Sequence, residues 1–358
     1  MKFSLGFGGR TGVGIDIGSS FIKILRLSIS GNKFYADDMD VITLPEGSIT
    51  NGIINDPAPV ASYIKSSILR LGIKEKNVVI SLPCRHVIIK TINMPKMKDS
   101  ELSASLYYEA QQYITYDINE VSYDYIVMGE SPSAPGNNSV MIVAGKKDII
   151  ENRNELIHEC GLNPFIMDVD CIAIENMFNF NYPEDFDDII CVAEIGASET
   201  SVHIIRKGAN IFRRDIPIGG ISITEEIAKR FQLNFTEAEN IKTGVSVKEE
   251  DGFKESYSTF LDILTSRITS EIQRTIDYFA ANNDRQYPRK IYLAGGSSVL
   301  KGFSKDLESR LNIPVELLNP LRNILFSPKN ASVKEQMEVN FHFLNIAVGL
   351  ALRGLEKE

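Results

Sequence analysis

The sequence predicts an α/β protein of two lobes, each built on a sheet that opens in the same way. Three observations carry that expectation. Strand-like and helix-like apolar periodicities alternate along the chain. The opening pattern Asp16-Ile17-Gly18-Ser19-Ser20 returns as Glu194-Ile195-Gly196-Ala197-Ser198. Between the two copies lies a Pro- and Asp-rich break, NYPEDFDD, at 181–188.

In chain order, GVGIDIG, FIKILRLSI and FYADDMDVITLP read as strands, and PAPVASYIKSSILRLGI as an amphipathic helix with Val60, Ile64, Ile68 and Leu71 on one face. NVVISLPCRHVIIKTINMP is further strand signal. KDSELSASLYYEAQQYI is a helix with Asp99 or Ser100 as N-cap and Leu102, Leu106 and Tyr113 on one stripe. VSYDYIVM and SVMIVAGKK are two strands joined through GESPSAPGNNS, and a helix through Leu156, Ile157 and Cys160 precedes PFIMDVD and CIAIENMFNF. In the second half IICVAEIGASETSVHIIRKGANIF repeats the opening hairpin, with a turn at Gly208 to Asn210 where the first copy has Gly31-Asn32. Finally, Ile291 to Ala294 is an apolar strand, and Gly295-Gly296-Ser297-Ser298 is expected to open a helix.

Composition narrows the function. With 358 residues, 43% hydrophobic and 24% charged, the chain is long enough for two cores. Its 38 Lys and Arg against 47 Asp and Glu leave a net −9, so general affinity for nucleic acid or an anionic membrane has no electrostatic support. Four cysteines without C-x-x-C spacing are expected to be reduced and buried. No signal peptide is expected in MKFSLGFGGRTG, and the longest apolar stretch, Val339 to Leu352, falls short of the ~20 residues of a spanning helix.

Two such halves facing each other would point both small-residue turns into one cleft, where backbone N–H groups and short hydroxyls suit a phosphate chain. Glycines in the late turn allow a flat ligand to approach the backbone. Plainer readings stand beside these. Asp16 is also an ordinary turn acid, Lys23 the polar face of a strand, Glu239 and Lys242 a surface pair, and Asp168 and Asp170 either turn caps or water-orienting acids. His86, His158, His203 and His342 lack metal-ligand spacing.

The ordered set D-x-G-x-x-x-x-K, acid-x-G-x-x-x-T and A-G-G-S-S resembles the phosphate-1, phosphate-2 and adenosine motifs of the actin/Hsp70/hexokinase superfamily. That resemblance implies an actin-like two-lobed ATP-binding fold. Asp16 would hold Mg²⁺ through water, Gly18, Ser19 and Ser20 would wrap the β-phosphate, and Lys23 would neutralise phosphate charge. Gly196, Ala197, Ser198 and Thr200 would take the γ-phosphate side, Glu239 and Lys242 would bracket ribose and adenine, and Gly295, Gly296 and Ser297 would back the adenosine. The segment from Val78 to Met128 is similar to the inserted subdomain of the PilM family, actin-like proteins of type IV pilus assembly, and less closely to that of FtsA. Two positions depart from the pattern: Thr115 replaces a usual proline, and Glu194 a usual aspartate. The longer carboxylate is expected to detune its position by about one C–C bond, leaving slow hydrolysis at most.

The same resemblance divides the chain into subdomain 1A (12–77, 148–190 and 338–358), 1C (78–147), 2A (191–223 and 288–337) and 2B (224–287). It implies a cytoplasmic scaffold switched by ATP, held at the inner membrane by the N-terminal segment of a PilN-like protein. Cys84 to Met97 and Leu102 to Tyr113 would form part of the docking surface. Other pilus motor and platform proteins and a second copy of the chain are further expected partners, and nucleic acid and direct membrane insertion are not. The alternatives are an FtsA-like filament protein, against which the expected lack of an amphipathic helix after LRGLEKE weighs, and a small-molecule kinase, for which no clear catalytic base stands out.

Overall fold

The computed structural model describes residues 10–114, 116–131, 134–246, 252–327 and 331–356; the opening nine residues and Thr115 lie outside that set. The first lobe begins with β1 (Arg10–Ile17), β2 (Phe21–Ser30) and β3 (Lys33–Thr43), followed by the short hairpin β4 (Ile49–Thr50) and β5 (Ile53–Ile54), then α1 (Pro57–Leu71) and β6 (Asn77–Leu82). An inserted unit follows: β7 (Val87–Pro95), α2 (Asp99–Tyr113), β8 (Val121–Glu130) and β9 (Asn137–Lys146). The chain returns through α3 (Lys147–Glu159), β10 (Asn163–Val169) and α4 (Asp170–Asn181).

The second lobe comprises β11 (Ile190–Ile195), β12 (Thr200–Arg206), β13 (Ala209–Ile216), α5 (Gly220–Phe231), α6 (Phe235–Lys242), α7 (Phe253–Ala281), β14 (Lys290–Ala294), α8 (Phe303–Leu311) and β15 (Val315–Leu317). The two-residue β16 (Leu325–Phe326), α9 (Ala331–Asn340) and α10 (Asn345–Arg353) follow and carry the chain back to the first sheet.

The repeat read from sequence is a repeat of topology. The first sheet is ordered β10-β6-β1-β2-β3-β16 and the second β13-β12-β11-β14-β15. In each, the opening strand pairs antiparallel with the next, setting Asp16 opposite Lys23 and Glu194 opposite Ser201, and parallel with a later strand, β6 or β14. The second hairpin turns on Lys207 and Gly208, both left-handed (φ 51° and 76°), so Asn210 lies inside β13 rather than in the turn.

Further expectations are corrected. Helix α2 is preceded by Lys98 rather than capped by Asp99 or Ser100, and Ala110, not the exposed Tyr113, continues its buried stripe because 102, 106 and 110 recur every four residues. Gly295 does not open a helix: the chain turns from 296 to 302, and α8 starts only after the left-handed Gly302 (φ 82°). Strand β6, placed by sequence inside the insertion, lies between β10 and β1 in the first sheet, so the insertion begins after Leu82. Strand β16, placed with the second lobe, pairs with β3 and extends the first sheet.

Helix α10 closes on the first sheet through small residues. A Cβ at Gly14 would lie 2.5 Å from the Ala347 carbonyl oxygen, and one at Gly349 would lie 1.9 Å from that of Ala173 in α4. No larger side chain fits between these backbones. The inserted sheet, ordered β7-β9-β8, has its own core of Ile92, Met94, Leu106, Ala110, Val140 and Ile142.

Candidate functional site

The cleft is built from two turns that close alike. After β1, the Gly18 amide donates to the Phe21 carbonyl at 3.1 Å; after β11, the Gly196 amide donates to the Glu199 carbonyl at 2.9 Å. Ser19 and Ser198, one from each turn, meet with their hydroxyl oxygens 3.2 Å apart. This contact spans the two lobes and brings together the two halves of the repeat. Gly18, Ser19, Ser20, Gly196, Ala197 and Ser198 are all half-buried around it.

Behind the first turn Lys23 Nζ donates to Asp16 Oδ2 at 2.9 Å, and Asp16 is buried. A Cβ at Gly18 would lie 3.0 Å from that ammonium, so the turn passes over the Asp16–Lys23 pair. Thr200 is placed differently from its expected role: its buried hydroxyl donates to the Ile218 carbonyl at 2.8 Å and braces the second turn from inside.

Helix α5 starts against the second turn. The Gly220 and Ile221 amides donate to the Gly196 and Ala197 carbonyls at 2.9 and 2.8 Å, and a Cβ at Gly219 would lie 2.5 Å from the Ala197 oxygen. The late turn joins here too. Gly295 has φ 84°, a Cβ on it would lie 2.4 Å from the Ile195 carbonyl oxygen, and the Ser297 amide donates to that carbonyl at 3.2 Å. Gly296 is required by Phe343, whose ring a Cβ would approach to 2.6 Å.

Lys242 and Glu239 complete the wall. Lys242 Nζ spends its protons on the Gly220 carbonyl (3.0 Å), the Thr224 hydroxyl (2.8 Å) and Glu239 (2.7 Å). Thr224 also donates to Glu239. Lys242 therefore fastens α6 to α5, burial lowers its pKa, and Glu239 is the more exposed of the two.

An acid cluster lies beneath. Burial pushes Glu194 up to about 8, the charges of Asp16 and Asp170 adding and Lys23 and an Asn345 hydrogen bond opposing. Asp170 is pushed up to about 6 by burial and by Asp16, against a Ser81 hydrogen bond, Arg153 and Lys23. Asp168 is also raised to about 6 by burial, but its charged neighbours are Arg353 and Glu356. The two aspartates weighed together in the sequence thus separate: Asp170 belongs to the cluster and Asp168 does not.

Among the described residues no group of three or more His, Cys, Asp or Glu is arranged to hold a metal ion. A cation here would take most of its shell from water and phosphate oxygens, which is the habit of Mg²⁺ beside one or two carboxylates. With Asp16 beside a glycine turn, the residues present fit that mode.

Sequence reasoning missed Arg153, Asn345, Ser81, Thr224 and Gly219-Gly220. Only the glycine pair, set directly before an amphipathic helix pattern, carried a local signal.

A duplicated β-hairpin sheet, turns paired across a cleft and a Gly-Gly-Ser turn behind them define a two-lobed protein of the actin-like class. The chain belongs to the family described as type IV pilus assembly protein PilM, whose model matches residues 14–355. Its structure is similar to a PilM-PilN type IV pilus biogenesis complex, with TM-score 0.83 and 28% identity, covering 97% of this chain and 99% of that one. The ethanolamine utilization protein EutJ of Carboxydothermus hydrogenoformans shares the fold at TM-score 0.55 and 15% identity, covering 97% of this chain and 90% of that one. Among curated proteins, cell division protein FtsA of Staphylococcus epidermidis is 24% identical over 259 residues, covering 64% of this chain and 53% of that protein. The FtsA of Streptococcus pneumoniae is 21% identical over 358 residues, covering 88% and 77%. The chain thus spans about half the length of the first of these relatives.

Proposed function

We propose that the chain binds ATP with Mg²⁺ between its two turns and serves pilus assembly as a nucleotide-switched scaffold for the cytoplasmic segment of a PilN-like inner-membrane protein. The observation that carries the nucleotide reading is the Ser19–Ser198 contact between two turns of the same closure. The PilM-PilN complex supports the partner. Among the described residues no helix is long and apolar enough to cross a membrane, so the partner supplies membrane attachment in this reading.

Bound ATP·Mg²⁺ would supply the charge that draws the lobes together. Lys23, which donates to Asp16, would hold phosphate oxygens with its ammonium, and Asp16 would face the hydrated cation. The amides of Ser19 and Ser20 on one side, and of Ala197 and Ser198 on the other, would receive the phosphate chain, while the Gly18 and Gly196 amides hold the two turns closed. Glu239 accepts from the ribose, Lys242 holds the wall on which it sits, and Gly295, Gly296 and Ser297 back the adenosine. Hydrolysis is slow, because a Glu194 held protonated near neutral pH is a poor base.

Calorimetry with ATP·Mg²⁺ tests the site. Asp16→Ala and Lys23→Ala should each weaken binding by ~10-fold or more. Unchanged affinity in both folded variants would overturn the assignment. Membrane fractionation tests the scaffold. Val87 pairs with Gly145, so residues between them can be replaced by a short linker without pulling on the first sheet. The shortened chain should keep nucleotide binding and leave the inner membrane; its persistence there would refute the docking role. The FtsA relatives favour a second reading, ATP-dependent self-association, which sedimentation with and without ATP·Mg²⁺ separates.

A further inference from the structure

Outside the cleft two cysteines face each other. Cys84 opens the helical turn Cys84–His86 after β6, and Cys171 is the second residue of α4 after β10. These strands are parallel neighbours with Leu82 opposite Val169, so each cysteine stands two residues beyond its strand end, at the same level. Their sulfurs lie 2.7 Å apart, and both residues are buried. The pocket around them is apolar, formed by Val87, Ile89, Val143, Val169 and Ile172. From the second lobe, Arg213 of β13 sets its guanidinium against the Cys84 sulfur and is itself held by Asp215.

We propose that Cys84 and Cys171 form a reversible redox site that closes to a disulfide on reaction with a peroxide. The Arg213 guanidinium lies against the Cys84 sulfur, and this contact marks Cys84 as the attacking sulfur. It attacks one peroxide oxygen, the O–O bond breaks, and the departing hydroxide takes a proton to become water. Cys84 is left as the sulfenic acid. The Cys171 sulfur then attacks the Cys84 sulfur, forming the S–S bond and expelling hydroxide, which leaves as water with the Cys171 proton. Two thiols and one hydrogen peroxide give one disulfide and two waters. The Cys171 thiol, raised by its hydrogen bond with Cys84 and by burial, keeps its proton until the hydroxide leaving Cys84 takes it. Cys160, which donates to the Leu156 carbonyl at 3.1 Å, and Cys191, buried in the second-lobe core, are internal controls. Closure would pin the root of the inserted sheet to the start of α4, one residue from Asp170.

The test uses the full chain, treated with hydrogen peroxide under native conditions, then denatured for thiol counting and peptide mapping. Two of the four thiols should disappear, with a Cys84–Cys171 linked peptide, a mass loss of about 2 Da and full recovery in dithiothreitol. Arg213→Gln should slow closure by ~10-fold, and Cys160→Ser should leave the yield unchanged. Four persisting thiols, oxygen addition at Cys84 without a crosslink, or a bridge through Cys160 or Cys191 would each overturn the proposal.

Discussion

At Glu194 a carboxyl group meets two other acids in a space that water does not fill freely, and burial is the first cause of its pKa of about 8. An acid whose folded pKa lies above its ordinary 4.5 binds its proton more tightly in the folded chain. Stability is therefore full below about pH 4.5 and declines as pH rises to about 8, the reverse of an ion-paired carboxylate. Asp170, raised from 3.8 to about 6, has the same sign over a lower window. Glu194→Gln keeps the shape and removes the ionisation. Its unfolding midpoint should exceed the parent's by ~3 °C at pH 8, the gap closing by pH 5, in calorimetric scans. A gap independent of pH would show that ionisation at Glu194 is not what limits stability there.

At the scale of elements the site depends on Gly220, where α5, α6 and the late turn converge. A Cβ there would lie 2.5 Å from the Ser297 hydroxyl and 3.2 Å from the Lys242 ammonium. Gly220→Ala should destabilise by about 1–3 kcal/mol through overpacking and lower nucleotide affinity by ~10-fold. Adding Ser297→Ala removes the nearer obstacle and should restore much of both; a double variant no better than the single would locate the strain elsewhere. The two turns were legible in the sequence because each is made by consecutive residues, Asp16 to Lys23 and Glu194 to Thr200, whose hairpins fold locally. The acid cluster was not, because Arg153 and Asp170 reach Asp16 from α3 and α4 and Asn345 reaches Glu194 from α10, and only tertiary packing brings them together. The start of α8 was misread for a related reason. Gly295 and Gly296 answer to close packing against Ile195 and Phe343, which nothing in their own neighbourhood announces.

Over the whole molecule, the second turn and the root of the inserted sheet are joined by one ion pair. Arg85, in the helical turn just before β7, binds Glu199, the last residue of the second turn, and donates to Asn51 Oδ1 at 2.9 Å in the first lobe. Both partners of the pair are about three-quarters buried, 24% of each side chain being exposed, so the link is better shielded than a surface pair. Closing the second turn on a phosphate would move Glu199, and Arg85 would carry that displacement to β7 and the sheet it begins. Coupling of this kind is reciprocal: if ATP changes affinity for the docked segment, the segment changes affinity for ATP by the same factor. Arg85→Ala should therefore bring the ratio of segment affinities with and without ATP·Mg²⁺ from ~5-fold or more to about one, with the nucleotide affinity of the segment-free protein nearly kept. Fluorescence titration of a labelled PilN-like segment reads both affinities. Glu199→Ala, acting at the other end of the pair, should collapse the ratio equally. A ratio that survives both substitutions would place the transmission through the sheet backbones and not through this pair.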